Sequence, residues 1–363
     1  MTRFDPQALL SPRVNALKPY VPGEQPRIEG LVKLNTNENP YPPSPAVITA
    51  IHDAAKDHGL ALYPDPESTD LRRAIAARAG LTPEHVFVGN GSDEVLALAF
   101  YAFFQQAAPL LMPDVSYTFY RVYGRLFGIE VDLVPVDAGL RIDLSAFESR
   151  AAQDCAGIVL ANPNAPTGCG LPLSDIERLL EACPQRVVLV DEAYVDFGGE
   201  SAIALIDKYP NLLVVQTLSK SRSLAGLRVG FVLSQPHLIA ALARVKNSFN
   251  SYPLDRLAQA GAKAAISDEA WFEKTRQAVI DTREGLTLAL EDLGFEVLPS
   301  QANFLFARHR GRDAADLAAR LRQQAVLVRH FAEPRIDQFL RITVGTRDQC
   351  TRLQEALRKV LAT

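Results

Sequence analysis

The sequence has little of what marks secreted, metal-binding or membrane-spanning proteins. Its 363 residues include four cysteines and six histidines, and these show neither a CxxC spacing nor an HxxxH pair. A disulfide framework and a zinc site are therefore not expected. The N-terminal segment lacks the apolar stretch of a secretory signal, and apolar runs are about 5–8 residues long, against the ~20 that cross a bilayer. These absences predict a cytoplasmic protein with no membrane span and no bound metal.

The charge balance is close to neutral, because 38 basic and 42 acidic side chains give a net charge of −4. Nucleic acid is therefore not an expected partner, since it requires a basic face. Hydrophobic residues make up 48 % of the chain, and single cores rarely exceed roughly 250–300 residues. We expect a large domain at 41–265 and a smaller one at 266–363. A polar, proline-rich arm at 1–40, without core elements, precedes them.

Short apolar runs alternate with helical patterns through the first two thirds of the chain. The runs cover residues 86–89, 110–112, 157–161, 187–190, 212–217 and 229–233. Their β-branched content and lack of alternation predict strands buried on both faces, as in a parallel sheet covered by helices. After about residue 265, a long helical segment precedes short strands and two further helices. The pattern predicts an α/β fold with a second, smaller α/β unit.

Polar side chains follow four of these runs directly. They comprise a Gly-Asn-Gly-Ser turn at 89–92, an amide-rich segment at 162–168, Asp191 with Tyr194, and Lys220 with Arg228. In an open α/β sheet, ligands bind beyond the carboxyl ends of the strands. The convergence of these groups at one edge predicts a small-molecule site there.

The turn at 89–92 can hold a phosphate on the backbone N–H groups of the following helix, with Ser92 adding a hydroxyl. A plain turn in which Ser92 caps the helix is the alternative. A dinucleotide-binding fingerprint would need a third glycine at position 94, where the chain has Glu94. The turn therefore favours a phosphate and disfavours an NAD-linked oxidoreductase.

Asp191 directly follows four apolar residues, so its carboxylate needs a partner that offsets the cost of burial. A protonated pyridine nitrogen would be such a partner, and the carboxylate would keep the ring cationic and electron-withdrawing. A salt bridge to an arginine is the structural alternative. A Walker B strand is a further alternative, but it needs a P-loop, and the chain contains no Gly-Lys pair.

Lys220 also ends a strand. Its amine can form a Schiff base with an aldehyde and can then move protons as a general acid and base. The alternative is a solvated lysine at the start of a helix. Ser219 and Arg228 favour the first interpretation because they could complete a phosphate-binding cup beside the amine.

These motifs together resemble the pyridoxal-5'-phosphate (PLP)-dependent aminotransferases of fold type I, and within them the histidinol-phosphate aminotransferases. The resemblance covers essentially the whole chain. It is carried by residues 34–40 (LNTNENP), 63–66 (YPDP), 89–94 (GNGSDE), 162–168 (NPNAPTG), 191–194 (DEAY), 217–220 (TLSK), 224–228 (LAGLR) and 340–345 (LRITVG). It implies a large domain with a mostly parallel seven-stranded sheet flanked by helices, a smaller α/β C-terminal domain, and a homodimer.

The resemblance also implies roles for single residues. In the family pattern, Lys220 carries PLP as a Schiff base, Asp191 pairs with the pyridine nitrogen, and Tyr194 contacts the ring hydroxyl. The ring is stacked by Tyr117, and the cofactor phosphate is held by Ser92, Asp93, Ser219, Arg228 and, from the neighbouring subunit, Tyr63. The substrate carboxylate or phosphate is bound by Arg341, with Arg329, Tyr20 and Asn37 as further substrate contacts.

One position departs from the family pattern. The family usually has an asparagine before Pro-Thr-Gly that contacts the ring hydroxyl, and this chain has Ala165 there. Alanine cannot donate a hydrogen bond, so we expect Asn164 to replace it. If neither Asn162 nor Asn164 reaches the ring, Tyr194 stabilises the phenolate alone.

The implied activity is amino-group transfer from histidinol phosphate to 2-oxoglutarate, giving imidazole-acetol phosphate and glutamate in histidine biosynthesis. Within the fold, the alternatives are an aromatic or broad-range aminotransferase and a phosphoamino-acid decarboxylase. A non-catalytic PLP-sensing domain is the alternative of another class. It would normally come with a DNA-binding module, and no basic helix-turn-helix segment is evident.

Overall fold

The computed structural model describes residues 9–56 and 59–362. Within them the chain forms two sheets. The strands are β1 (Val32–Leu34), β2 (Val86–Asn90), β3 (Leu110–Pro113), β4 (Val131–Val134), β5 (Gly157–Ala161), β6 (Val187–Asp191), β7 (Leu212–Thr217), β8 (Val229–Ser234), β9 (Phe295–Val297), β10 (Phe304–His309), β11 (Val326–His330) and β12 (Leu340–Thr343).

Helices alternate with these strands along the chain. They are α1 (Pro12–Ala16), α2 (Pro45–Ala54), α3 (Thr69–Ala79), α4 (Gly91–Phe103), α5 (Phe119–Phe127), α6 (Leu144–Ala151), α7 (Leu173–Ala182), α8 (Pro236–Phe249), α9 (Arg256–Ser267), α10 (Glu269–Asp292), α11 (Ala314–Gln323) and α12 (Arg347–Leu361). Among the described residues, no helix is both long enough and apolar enough to cross a membrane.

The larger sheet has seven strands in the order β2-β8-β7-β6-β5-β3-β4. Strand β8 is antiparallel to both of its neighbours, and the other pairs are parallel. The predicted mostly parallel sheet is confirmed. Strand β4 was not predicted, because it lies at the sheet edge and three of its four side chains are only partly buried. An edge strand does not produce the continuous apolar run that marks a central one.

Both faces of the larger sheet are covered, as the continuous apolar runs predicted. Along β5, Ile158 and Leu160 pack in one core cluster with side chains of α2, α3, α6, α7 and α9. Val159, between them, points to the opposite face and packs in a second cluster with α4, α5 and α8. Consecutive side chains of a strand point to opposite faces, so a sheet between two helical layers needs apolar residues at every position.

The smaller sheet has the order β1-β11-β12-β10-β9 and packs against α10, α11 and α12. Strand β1 pairs in parallel with β11, and its Val32 and Leu34 are only 1 % exposed. The prediction that residues 1–40 contain no core element is therefore wrong for 32–34. Three residues are too few for a periodic signal, so only the pairing with a distant strand reveals this one. The division of the chain at residue 265 stays a prediction.

Candidate active site

A cavity of about 460 Å³ lies at the carboxyl edge of the larger sheet, where side chains of the smaller sheet and of residues 20–38 also reach it. It collects all of the sequence-predicted site residues except Asn164 and Tyr63. Those lining it are Tyr20, Asn37, Ser92, Asp93, Tyr117, Asp191, Tyr194, Ser219, Lys220, Arg228, Arg329 and Arg341. The edge of the sheet that the sequence indicated is therefore the place where these groups meet.

One corner of the cavity is formed by the N-terminus of α4 and by Arg228. The Arg228 backbone has a left-handed φ of 54°, which directs its side chain towards the first turn of α4. There its Nη2 donates to Asp93 Oδ2 at 2.9 Å. Gly91, at φ 75°, leaves the space that the guanidinium occupies, because a Cβ at Gly91 would overlap Nη2. Free N–H groups of a first helical turn and an adjacent arginine make a site for a phosphate.

Asp191, the last residue of β6, is 5 % exposed. Its Oδ2 accepts a hydrogen bond from Tyr120 Oη at 2.7 Å and its Oδ1 accepts one from the Ala193 N–H at 3.1 Å. Burial raises the pKa of this carboxyl to about 6, and the two hydrogen bonds oppose the rise. Among the described residues, no lysine or arginine forms an ion pair with Asp191, so the arginine alternative is not what the fold provides.

Tyr120 was not among the predicted site residues. It lies in α5, three positions before Tyr123 of the same helix and three positions after Tyr117, which precedes the helix. Tyr120 and Tyr123 are buried. This spacing in the sequence was the available signal, but an aromatic stripe of this kind is also typical of ordinary core packing.

Lys220 lies in the turn after β7, and its Nζ donates to the Thr36 carbonyl at 3.3 Å. The same amine lies 5.9 Å from the centre of the Tyr194 ring. No α-helix begins at Lys220, since the next helical residues are the 3₁₀ turn Ala225–Leu227. The alternative of a lysine at a helix start is therefore not observed, and the amine opens into the cavity beside Asp191.

Tyr117 forms a wall of the cavity and is linked to the phosphate corner. Its Oη donates to Asp93 Oδ1 at 3.2 Å, while Arg228 binds the other oxygen of the same carboxylate. Burial raises the pKa of the Tyr117 phenol well above its ordinary value, so it remains neutral. The Phe119 ring lies between Tyr20 and Tyr117 in contact order, with its centre 5.0 Å from that of Tyr20 and 5.9 Å from that of Tyr117.

The structure places Asn164 outside the cavity lining, away from the position that its predicted contact with the ring hydroxyl requires. Its Nδ2 donates to the Val115 carbonyl at 2.9 Å, and its Oδ1 accepts from Ser116 Oγ at 2.8 Å. The side chain thus links its loop to the segment that follows β3. Asn162 behaves similarly, since its amide bonds the backbone of Leu171. Ala165 does line the cavity, as an apolar contact.

Arg341 and Arg329 are paired neighbours on β12 and β11. Arg341 Nη2 donates to the Asn35 carbonyl at 2.9 Å, while its Nε is buried and has no hydrogen-bond partner among the described residues. Burial lowers the pKa of this guanidinium, and the nearby Arg329 adds to that effect. A buried N–H without a partner is costly, so the fold leaves this arginine prepared to bind an anion.

Tyr63 lies outside the cavity of its own chain. It is 80 % exposed, and its ring stacks on Tyr252 with 4.7 Å between centres. The position agrees with the implied role only if a second subunit provides the cavity that Tyr63 approaches.

Comparison with known proteins identifies the family. Residues 29–357 match the model of the aminotransferase class I and II family.

The chain belongs to the class I and II aminotransferases.

Relatives within this family are similar over nearly the full length. Histidinol-phosphate aminotransferase 2 of Rhizobium meliloti (strain 1021) is 62 % identical over 353 residues, which are 97 % of this chain and 99 % of that protein. Histidinol-phosphate aminotransferase of Aromatoleum aromaticum is 61 % identical over 96 % of this chain and 98 % of its own. Such identity over whole chains places this aminotransferase among the histidinol-phosphate aminotransferases.

Solved structures have the same fold. The crystal structure of histidinol-phosphate aminotransferase from Sinorhizobium meliloti in complex with pyridoxal-5'-phosphate aligns with a TM-score of 0.87 at 25 % identity and covers 99 % of both chains. Aspartate aminotransferase from Thermus thermophilus with maleate aligns with a TM-score of 0.81 at 22 % identity over 97 % of this chain and 99 % of that chain. The second likeness concerns the fold alone.

Proposed function

We propose that this aminotransferase uses PLP to transfer the amino group of histidinol phosphate to 2-oxoglutarate, a step of histidine biosynthesis carried out in the cytoplasm. One observation carries the proposal: the Lys220 amine and the Asp191 carboxylate, from neighbouring strands β7 and β6, open into the same cavity. A pyridine ring needs these two groups at its two ends.

The cavity has the polar groups that PLP requires. The α4 N-terminus and Arg228 would hold the phosphate, Asp191 the ring nitrogen, Tyr194 the ring hydroxyl, and Lys220 the aldehyde carbon. Gly230 supports this fit, because a Cβ there would overlap the backbone of Ser92 at the phosphate corner. When bound, PLP supplies an electron-withdrawing ring that stabilises negative charge on the substrate carbon.

The residues of the chain supply proton transfer and orientation. When its amine is free, the Lys220 Nζ would be the base that takes the proton from the substrate Cα, and the protonated amine would then give that proton up as an acid. Asp191 would hold a proton on the ring nitrogen, because a carboxylate beside a cation avoids the cost of its own burial. Tyr117, which lines the cavity, would cover one face of the ring and orient the substrate.

Substrate recognition falls to the cationic end of the cavity. Arg341, whose Nε has no hydrogen-bond partner in the described part of the chain, would bind the carboxylate of glutamate or the phosphate of histidinol phosphate, with Arg329 beside it. A guanidinium suits both anions, since carboxylate and phosphate each accept two parallel hydrogen bonds. Tyr20 would close the cavity from the N-terminal side.

We also propose that the protein is a homodimer. Two adjoining segments present exposed apolar side chains, namely Leu60, Leu62, Tyr63, Phe249 and Tyr252, of which Phe249 is 81 % exposed. Large exposed apolar groups that lie together mark an interaction surface. We call this group the apolar patch. It would carry Tyr63 to the phosphate of the neighbouring subunit's cofactor.

The absorbance of the purified protein with PLP tests the proposal. We expect histidinol phosphate to convert the visible band of the bound cofactor to the band of the aminated form, and 2-oxoglutarate to restore it. Release of carbon dioxide instead would favour the decarboxylase. Equal conversion by aromatic amino acids would favour a broad-range enzyme, and no conversion by any amino donor would contradict transamination.

A further inference from the structure

Asn37 is a buried polar residue in a conformation that few residues adopt. It is 1 % exposed, and its backbone has a left-handed φ of 56°. Asparagine tolerates this region better than most non-glycine residues, but the conformation still needs support from its surroundings. The sequence suggested a substrate contact for Asn37, and its hydrogen bonds indicate a different task.

Three hydrogen bonds hold Asn37, two with Thr343 of β12 and one with Asn303, which directly precedes β10. Its backbone N–H donates to Thr343 Oγ1 at 3.0 Å, and the Thr343 hydroxyl donates to Asn37 Oδ1, also at 3.0 Å. Asn303 Nδ2 donates to the Asn37 carbonyl at 2.9 Å. Thr343 and Asn303 are 3 % and 0 % exposed. With its Oδ1 occupied, the side-chain amide has a fixed orientation, and its Nδ2 points away from Thr343.

That Nδ2 donates to Tyr194 Oη at 3.0 Å. An amide nitrogen has hydrogens and no acceptor capacity, so the phenol oxygen must be the acceptor in this bond. A phenol has one hydrogen of its own. With Asn37 donating to the oxygen, that hydrogen is left to point to another acceptor, and Tyr194 lines the cavity.

The apolar residues packed against the Tyr194 ring cannot accept this hydrogen. Ala165, Ala302 and Phe304 form an apolar cluster against the ring, and Phe304 meets it edge-on with 5.0 Å between centres. Ala165 is the position at which the family usually places an amide donor. In this chain the amide donor is Asn37, and it donates to the Tyr194 oxygen.

We propose that Asn37 is a positioning residue that directs the Tyr194 hydroxyl proton to the ring hydroxyl oxygen of PLP. It thereby compensates for the missing donor at Ala165. The inference rests on the proposed function, because it requires Tyr194 to face the cofactor ring. By donating to Tyr194, Asn37 also makes the phenol a stronger donor, since chained hydrogen bonds polarise one another.

The test is the pH midpoint of the visible absorbance change of the PLP-loaded protein. This midpoint reports loss of the proton on the nitrogen that joins Lys220 to the cofactor. Losing that proton leaves the ring oxygen's negative charge dependent on Tyr194, so weaker donation raises the midpoint. We expect Tyr194→Phe to raise it by about 1–2 pH units, the value of a hydrogen bond to a charged group.

Asn37→Gly keeps the left-handed backbone accessible and removes only the side chain. We expect it to raise the midpoint by about 0.5 pH unit, less than Tyr194→Phe, as a polarising and orienting contact should. The double variant should match Tyr194→Phe alone to within about 0.3 unit, since Asn37 acts through Tyr194. The kcat for histidinol phosphate should fall while KM stays near its original value.

Thr343 supplies a second, independent pair of variants. Thr343→Val removes the hydroxyl that orients the Asn37 amide and should shift the midpoint in the same direction. Thr343→Ser keeps that hydroxyl and should leave the midpoint unchanged. This pair tests the inference even if Asn37→Gly does not fold.

Three results would overturn the inference. The first is a normal midpoint in both Asn37→Gly and Thr343→Val while Tyr194→Phe shifts it. The second is a double variant whose shift is the sum of the two single shifts. The third is an unchanged midpoint in Tyr194→Phe, which would refute the role of Tyr194 in the proposed function as well. Conversion of the cofactor by histidinol phosphate would still distinguish that result from failure of transamination itself.

Discussion

At the scale of single residues, the buried carboxylate of Asp191 accepts hydrogen bonds from two groups in the described part of the chain. The Tyr120 hydroxyl is one of them, at 2.7 Å, and it keeps the pKa of Asp191 from rising further. Tyr120 is itself completely buried. Burial is the main reason why the pKa of its phenol is raised, and the nearby Asp191 raises it further. Tyr120 does not line the cavity, so it would act on the cofactor through Asp191.

Tyr120→Phe removes that donor and leaves the ring stacking in place. We expect the pKa of Asp191 to rise and kcat/KM at neutral pH to fall about tenfold, since a hydrogen bond to a charged group contributes roughly 1.5–3 kcal/mol. The acid limb of the pH–rate profile should move to higher pH. Tyr101→Phe, on the exposed side of α4, is the control. An unchanged pH profile in Tyr120→Phe would show that the contact has no such role.

Asp191 also makes stability depend on pH in the cofactor-free protein. Its pKa is about 6 when folded, above the ordinary 3.8. The contribution of this raised pKa to the free energy of unfolding is present below about pH 4 and is lost as the pH rises through 6. Relative to Asp191→Asn, which does not titrate, the wild type should therefore lose about 2 kcal/mol between about pH 4 and 7.

Denaturant unfolding of both cofactor-free proteins at the two pH values measures this difference. Added PLP should reverse its sign for the wild type, because a cationic ring nitrogen stabilises the ionised carboxylate. If the difference in unfolding free energy between the two proteins does not change with pH, the carboxylate is not desolvated as the fold indicates.

At the scale of elements, β8 and the start of α4 are packed backbone against backbone. A Cβ at Gly230 would overlap the Ser92 N–H and the Gly91 carbonyl carbon. Gly230→Ala must therefore displace the first turn of α4, whose N–H groups face the cavity. Overpacking of this kind costs typically 1–3 kcal/mol.

We expect Gly230→Ala to weaken PLP binding at least tenfold, as measured by titration of the cofactor-free protein with PLP. Gly226→Ala is the matched control, since a Cβ there meets nothing within 4 Å. Equal PLP affinity in the two variants would argue that the first turn of α4 does not hold the cofactor phosphate.

The elements also explain which parts of the site could be predicted from the sequence. Asp191 is the last residue of the buried strand β6, and Lys220 lies three residues after the buried strand β7. The position of each along the chain therefore determines the edge of the sheet at which it lies. Asn37 could not be assigned in this way, because its contacts come from Thr343 and Asn303, more than 260 positions later. Strand β1 could not be predicted for the same reason, since it pairs with the distant β11. Both depend on how the smaller sheet is assembled, and no local pattern encodes that.

At the scale of the whole molecule, the proposed dimer depends on the apolar patch. Leu62→Glu would bury a carboxylate without a partner in the subunit interface, which is strongly unfavourable. We expect this variant to sediment as a monomer and to lose most of its activity, because Tyr63 no longer reaches a neighbouring site. Leu288→Glu changes an equally exposed leucine of α10, 64 % exposed, outside the patch. A dimeric Leu62→Glu protein would contradict the proposed interface.

The central claim is that Lys220 holds PLP covalently while Asp191 meets its ring nitrogen. Borohydride reduction of the PLP-loaded protein, followed by peptide mapping in a mass spectrometer, tests it most directly. The account predicts a phosphopyridoxyl group on Lys220, and its absence together with loss of turnover in a folded Lys220→Ala variant. Labelling of a different lysine, or full activity of Lys220→Ala, would contradict it.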